Sequence, residues 1–296
     1  MAHARRACLR PEAARPVGAV RSRLVHLPFI PAGMHVTVWP PVLATRGPGS
    51  LSALHSHHGL HFVLAIDGAL RVRAFASGRW SEAAGVLTAP DAPHAIDSRG
   101  TEVLLVFLDP ESEAGATFRP VLEGPVRLLS ERERSALVRD VVPRTILRFG
   151  ADEWVREAAR TLGAPLPAPQ RMIHPRVRRV LGILRSSGVD DTTSLEALSL
   201  RAGLSPGRLM HVFTASVGIP LRPYLSWLRV QRAAIAIVNG SPLGDAAHCA
   251  GFADASHMSR TFKRMLGVAP SLLRPMRCAT ETRSAEVSTS VAMRTT

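Results

Sequence analysis

The same punctuation occurs twice near the carboxyl end of this 296-residue chain, and it leaves few choices of fold. Ser194 can cap a helix running to Ala202, and Gly203 can end it in the left-handed conformation. Ser205 then caps again, with Pro206 at the first helical position, where its missing N–H costs nothing. Leu209, Val212 and Phe213 follow at i, i+3 and i+4 as one buried stripe. In the second copy Ser241 caps, Pro242 starts a helix and Gly251 ends it. Residues 252–254 turn, and Asp254 caps a helix with Met258, Phe262 and Met265 on its core side. Each copy has the helix-turn-helix layout, and the turn glycines lie 48 positions apart. Between them Leu221–Val238 carries Leu225, Leu228, Ile235 and Val238 at helical spacing, with Asn239-Gly240 as a stop. Eighteen helical residues span about 27 Å, which would hold the two second helices roughly one DNA turn apart.

Composition excludes other classes. At 46% hydrophobic and 20% charged the chain is neither an acidic disordered tail nor a coiled coil. The longest apolar runs, 62–66 and 103–108, fall far short of the roughly 20 residues of a membrane helix. Cys8, Cys249 and Cys278 are scattered and odd in number, which points away from a disulfide framework and towards a reducing cytosol. The net charge of +14 is unevenly placed. Residues 28–170 hold 14 basic and 15 acidic side chains, whereas residues 171–278 hold 15 and five. A near-neutral block followed by a strongly basic one suits a sensing domain ahead of a polyanion-binding domain. Lys263 is the only lysine, which suggests a compositional bias towards Arg. That bias does not explain why the surplus skips the middle of the chain.

Residues 1–27 are rich in Arg and Ala and lack the apolar stretch of a secretory signal, so they read as a disordered arm. From Met34 to about Leu108 the pattern is β, with short apolar stretches at 36–39, 62–66, 69–75, 86–88 and 103–108. Turn signals separate them: Gly47-Pro48-Gly49, the hairpin-like Asp67-Gly68, Ser77-Gly78, and Ser98-Arg99-Gly100. Consecutive strands without intervening helices favour a barrel or double sheet. Beyond Pro120 the spacing predicts helices over 130–148, with a break at Pro143, and over 151–162. Three prolines in 163–169 make a semi-rigid spacer, and the polar segment 277–296 reads as a disordered tail.

With these strings assembled, residues 172–276 resemble the DNA-binding domain of the AraC/XylS family of bacterial transcription regulators. The matching strings are Ala202-Gly203-Leu204-Ser205-Pro206, then Gly218-Ile219-Pro220 with Tyr224 and Leu228-Arg229. The most specific runs from Ala247 through Gly251-Phe252-Ala253-Asp254-Ala255-Ser256-His257 to Lys263-Arg264, followed by Gly267-Val268-Ala269-Pro270. The resemblance implies two helix-turn-helix units on a linker helix, acting at promoters. Carried over, Ser256, Ser259 and Arg260 face base edges, with Lys263 and Arg264 nearer the phosphates. An ion pair within the domain is the competing role for Arg260. The matching face of the first unit is Gly207, Arg208, Met210 and His211. Here the chain departs from the family: His211 stands where Arg is usual, Thr214 where a basic residue is common, and Ser199 where Ala is typical. The first unit is therefore expected to supply shape fit and modest readout, and the second more discrimination.

The string His55-Ser-His57-His58-Gly-Leu-His61, with Gly68 and the later Pro93-His94, resembles the two motifs of the cupin barrel. His61 occupies the place of that family's acidic ligand. In a strand, positions 55, 57 and 61 share one face, and His58 points the other way, to solvent. The four imidazoles of His55, His57, His61 and His94 fit three readings: a divalent metal, polar contacts to an organic effector, or purely structural pairing.

The expectation is an α+β two-domain chain. A cupin-like β-barrel sensor and dimerisation domain spans 28–125 and a helical connector 126–162. A spacer at 163–171 precedes an all-α double helix-turn-helix domain over 172–276. The expected role is an effector-responsive, non-enzymatic, cytoplasmic DNA-binding regulator. Its expected partners are promoter DNA, a small-molecule effector and RNA polymerase, with homodimers through 130–162 and no membrane. No cofactor is required, a divalent metal being optional. The alternative is a metal-dependent cupin enzyme or metal sensor using His55, His57, His61 and His94.

Overall fold

The computed structural model describes residues 41–142, 146–147, 150–167, 172–186, 194–274 and 277–279. The expected arm over 1–27, the strand over 36–39, Pro143 and residues 280–296 of the expected tail lie outside the described residues, whereas the first three residues of that tail, 277–279, form a strand rather than disordered chain.

The N-terminal half is a two-sheet β structure. Its strands are β1 (Val42–Pro48), β2 (Leu60–Ala65), β3 (Leu70–Ala74), β4 (Ser81–Ala83), β5 (Gly85–Thr88), β6 (His94–Asp97), β7 (Glu102–Leu108) and β8 (Val126–Leu129). A further strand, β11 (Arg277–Ala279), returns from the far end of the chain and pairs with β1. The larger sheet runs β11-β1-β7-β2-β5-β8 and the smaller β4-β3-β6. Every residue of β2 is buried, because both of its faces are covered. Leu60, Phe62 and Leu64 pack outward with Leu104 and Val106 under three helices. Val63 and Ala65 pack inward with Leu70, Val72, Ile96 and Val103 between the sheets.

The covering helices are α1 (Glu113–Phe118), α2 (Glu131–Val138) and α3 (Ala151–Leu162). Ser130 and Glu133 close a reciprocal cap at the start of α2, satisfying two otherwise orphaned donors. Trp154 of α3 enters the core and donates its indole N–H to the Leu137 carbonyl (3.0 Å).

Two sequence expectations change here. The helix expected over 130–148 ends at Val138. Beyond it β9 (Val141–Val142) and β10 (Ile146–Leu147) pair with each other as a separate two-stranded hairpin, which suits the β-branched residues Val141, Val142 and Ile146. Gly47-Pro48 is not a turn but the end of β1, whose partner β7 continues alongside it to Glu102.

The C-terminal half is helical: α4 (Pro175–Ser186), α5 (Leu195–Ala202), α6 (Pro206–Val217), α7 (Leu221–Val238), α8 (Leu243–Cys249) and α9 (Ala255–Leu266). Ser194, Ser205 and Asp254 cap α5, α6 and α9 as their sequence positions require. Gly203 and Gly251 both have positive φ, and the residue after each donates back into its helix. Ser241 is not the cap of α8. Its N–H closes the end of α7 on the Ala236 carbonyl, so α8 starts two residues later, behind Pro242.

One helix serves both helical units. Leu221, Tyr224 and Leu228 of α7 complete the first, around Val177, Leu198, Leu209 and Phe213. Trp227, Val230, Ala233 and Ile237 complete the second, around Ala246, Met258 and Phe262. Arg232, wholly buried, donates to the Leu184 carbonyl of α4 (2.8 Å) and ties the units together. The second core also includes Leu43 of β1, with Phe107 of β7 packed against it, so the β domain and the helical domain share apolar contacts. Phe262 has no exposed surface there. Phe262→Ala is expected to cost about 3–5 kcal/mol in urea unfolding; a loss below about 1 kcal/mol would contradict this packing.

Candidate nucleic-acid interface and effector cavity

Helix α9 divides cleanly by face. Met258, Thr261, Phe262 and Leu266 are buried, whereas Ser256, Arg260, Lys263 and Arg264 are exposed. The helix is fixed at its start by Asp254, whose carboxylate accepts from the His257 backbone N–H (2.7 Å). That bond, aided by the Arg260 charge, holds Asp254 below the usual carboxylate range. Ser259 differs from its neighbours: it is half-buried and its hydroxyl donates to the Ala255 carbonyl (2.8 Å).

Helix α6 has the same organisation. Leu209, Val212, Phe213 and Val217 are buried, and Gly207, Arg208, Met210, His211 and Thr214 are exposed. The Thr214 hydroxyl turns back to the Met210 carbonyl (3.0 Å), which leaves Arg208 as the cation of this face. Ser199, on α5, is buried, and its hydroxyl has no hydrogen-bond partner among the described residues.

The histidines converge elsewhere, at a cavity of about 180 Å³ between the inner face of the β domain and the second helical unit. Leu43, Val63, Ile96 and Phe107 line one wall, and Ala234, Ile235, Val238 and Leu266 the other. His55, His57 and His61 also line it, and His94 lies beside them. Their convergence does not come from alternation along a strand. His55 and His57 precede β2 in an irregular segment, joined to the start of β6 by the bridge between His55 and His94. Burial, then the nearby imidazoles, pushes His55 down to about 4 and His57 and His61 well below their ordinary value. Burial also lowers His94.

A family model described as a helix-turn-helix domain matches residues 198–276. The HTH-type transcriptional regulator RipA of Corynebacterium glutamicum is 30% identical over 145 residues, covering 49% of this chain and 40% of that protein. RipA of Corynebacterium diphtheriae is 28% identical over 184 residues, covering 61% and 51%. The matches thus span about half the length of these curated relatives or less. Among solved structures, ToxT from Vibrio cholerae O395 superposes with a TM-score of 0.52 at 12% identity, over 78% of this chain and 95% of ToxT. That likeness extends the shared fold across both domains. The C-terminal part thus matches a helix-turn-helix domain, and the two-domain fold is shared with ToxT.

One part of the chain departs from the sequence reading. His58 is not exposed; it is buried between Asp91 (2.7 Å) and Glu111 (3.2 Å). Burial alone would lower its pKa, but the two carboxylates outweigh that and raise it to about 9. Glu111 also faces Arg185 at the end of α4 (3.5 Å), and Arg185 pairs with Asp109 and donates to the Tyr224 hydroxyl of α7 (3.0 Å). An ionic bridge therefore joins the β domain to the first helical unit. Local sequence pattern gave no sign of it, since its members are separated by up to 166 residues (His58 to Tyr224).

A raised folded-state pKa means that this bridge stabilises fully below the unfolded value near 6.5, and its contribution is lost as pH rises through about 9. Between pH 6.5 and 9.5 the thermal midpoint of the wild type is expected to fall more steeply than that of His58→Gln. Parallel profiles would refute the assignment.

Proposed function

We propose that this chain is a sequence-specific DNA-binding transcription regulator whose two helical units read successive major grooves of promoter DNA. The observation that carries the reading is the two-sided character of α6 and α9. Each buries an apolar stripe in a core that includes α7 and exposes a polar, cationic face. A rigid element holding two such faces suits a duplex, whose grooves repeat at about 34 Å. Neutralisation of phosphates by Arg and Lys would supply most of the sequence-independent affinity. Arg260, with its fork of donors, is the strongest candidate for reading guanine, and Ser256 stands beside it on the exposed face. Lys263 and Arg264 would follow the backbone. Arg208, Met210 and His211 would give the first unit a shape fit with weaker discrimination, because only one of them is a permanent cation.

The cavity between the domains supports effector control. A ligand there would touch the β domain and α7 together, and different affinities in two interdomain arrangements would shift their populations. His55, His57, His61 and His94 would be its polar contacts. Recruitment of RNA polymerase and pairing of two copies through 130–162 belong to the same reading.

Selection of bound fragments from random or genomic DNA with the purified chain should return an enriched sequence. Arg260→Ala combined with Lys263→Ala should then weaken binding to that sequence by roughly 30- to 1,000-fold and lower the dependence on salt concentration. Both side chains are exposed, so the thermal midpoint should hardly move. Binding retained within about threefold at moderate salt would refute the assignment of α9 as the principal reader.

A further inference from the structure

Helices α6 and α9 are built in register with one another. Each has 12 residues, a side-chain cap before its first residue and a left-handed glycine after its last, Gly218 or Gly267. Moved along by 49 positions (Pro206 onto Ala255), their buried residues coincide: Leu209 with Met258, Val212 with Thr261, Phe213 with Phe262 and Val217 with Leu266. The exposed residues correspond too, and there the chemistry diverges. Where α9 exposes Ser256, Arg260, Lys263 and Arg264, α6 exposes Gly207, His211, Thr214 and Ala215. Three permanent cations on one helix thus match none on the other.

At these positions the α6 face is largely apolar. Ala215 offers only its Cβ, and the Thr214 hydroxyl is committed to the Met210 carbonyl (3.0 Å), which leaves the Thr214 methyl for an outside surface. Met210 adds a thioether at the side of the same face, 47% exposed. A Cβ on Gly207 would meet no atom of the described residues within 4 Å, and its φ is not positive, so the fold has room for alanine there. What glycine adds is approach: with no side chain, the first turn of α6 can come closer to a partner outside the chain. Arg208 and His211 are the polar groups of this face.

We infer that α6 reads thymine, through contact of the Thr214, Ala215 and Met210 methyl groups with thymine C5-methyls in the major groove. The inference rests on the reading of the chain as a DNA-binding regulator and assigns a base to its first unit. The C5-methyl is the apolar group on the base edges of that groove, and alanine and threonine methyls are its usual partners. Guanine suits Arg260 on the other helix, so the operator is expected to be uneven, with guanine under α9 and thymine under α6.

Small residues also decide between DNA and a protein partner. Protein interfaces draw their affinity from large anchors such as Trp, Tyr and Arg. Gly207, Thr214 and Ala215 instead expose little area and let the helix sink into a groove. With one permanent cation on the α6 face against three on α9, most of the salt dependence falls to the second unit.

The test uses the full chain and the fragment returned by selection, with each thymine replaced in turn by deoxyuridine, which lacks only the methyl. Thymines about one helical turn from the guanine read by Arg260 should each lose about three- to fivefold in affinity when replaced, and about tenfold or more together. Because the change is made in the DNA, loss of folding cannot imitate it. Thr214→Ser removes the methyl on the protein side and keeps the hydroxyl. It should weaken binding to the thymine fragment about threefold and leave binding to the deoxyuridine fragment unchanged. Gly207→Ala should weaken binding about threefold or more while the thermal midpoint holds or rises. The inference is overturned if deoxyuridine throughout that half-site changes affinity by less than about 1.5-fold, or if Thr214→Ser weakens both fragments equally. The α6 face would then meet something other than a base, such as a protein. If that happens while Arg260→Ala with Lys263→Ala still removes specific binding, the regulator reading stands and this assignment alone fails. If selection returns no sequence, both fail.

Discussion

Helix α7 is the element on which the rest of the molecule depends. Its residues alternate between two helical cores: Leu221, Tyr224 and Leu228 turn towards the first unit, and Trp227, Val230 and Ile237 towards the second. The helix lacks a side-chain cap at its start, so packing rather than local capping holds it. Arg232 is the polar exception on this buried helix. Its guanidinium, taken out of water, reaches a carbonyl at the end of α4 and so fixes one unit against the other. Such an arrangement passes orientation from one unit to the other better than a flexible linker could, because close-packed side chains have few alternative positions.

The same helix is where the β domain meets the helical domain. Trp227 faces His57, Ala234 and Ile235 face the cavity, and Tyr224 meets Arg185 and the His58 ring. Two kinds of contact thus act across one boundary. Apolar contacts around Leu43 and Phe107 are insensitive to charge, while the bridge through His58, Glu111 and Arg185 is ionic. The neutral imidazoles lie between them. Burial lowers them and neighbouring carboxylates raise His58, so adjacent residues in the chain hold opposite charge states at neutral pH.

What could be read without coordinates was local. Caps, turn glycines and the 3.6-residue periodicity are set by neighbours in sequence, and so the bounds of α5 and α7 were legible from Ser194, Gly203 and Asn239-Gly240. Where long-range pairing competes with periodicity, the reading was less secure. The stretch after Val138 fits either a helix or a hairpin by pattern, and strand pairing decided it. Gly47-Pro48 has turn composition, yet β7 offered a partner and extended β1 through it.

The exposed faces of α6 and α9 follow from their sequences, because a helix that must bury Leu209 and Phe213, or Met258 and Phe262, has to turn Arg208 or Arg260 outward. The abundance of histidine near residue 57 was likewise visible at once. Which nitrogens converge, which rings are oriented by carbonyls and which one pairs with carboxylates was decided only by tertiary structure. His57 and His58 are adjacent in the chain, yet they differ by what packs against each from β7, α4 and α7, elements up to 170 residues away (His57 to Trp227). Proton affinity is a property of that surrounding space, and a linear pattern carries no record of it.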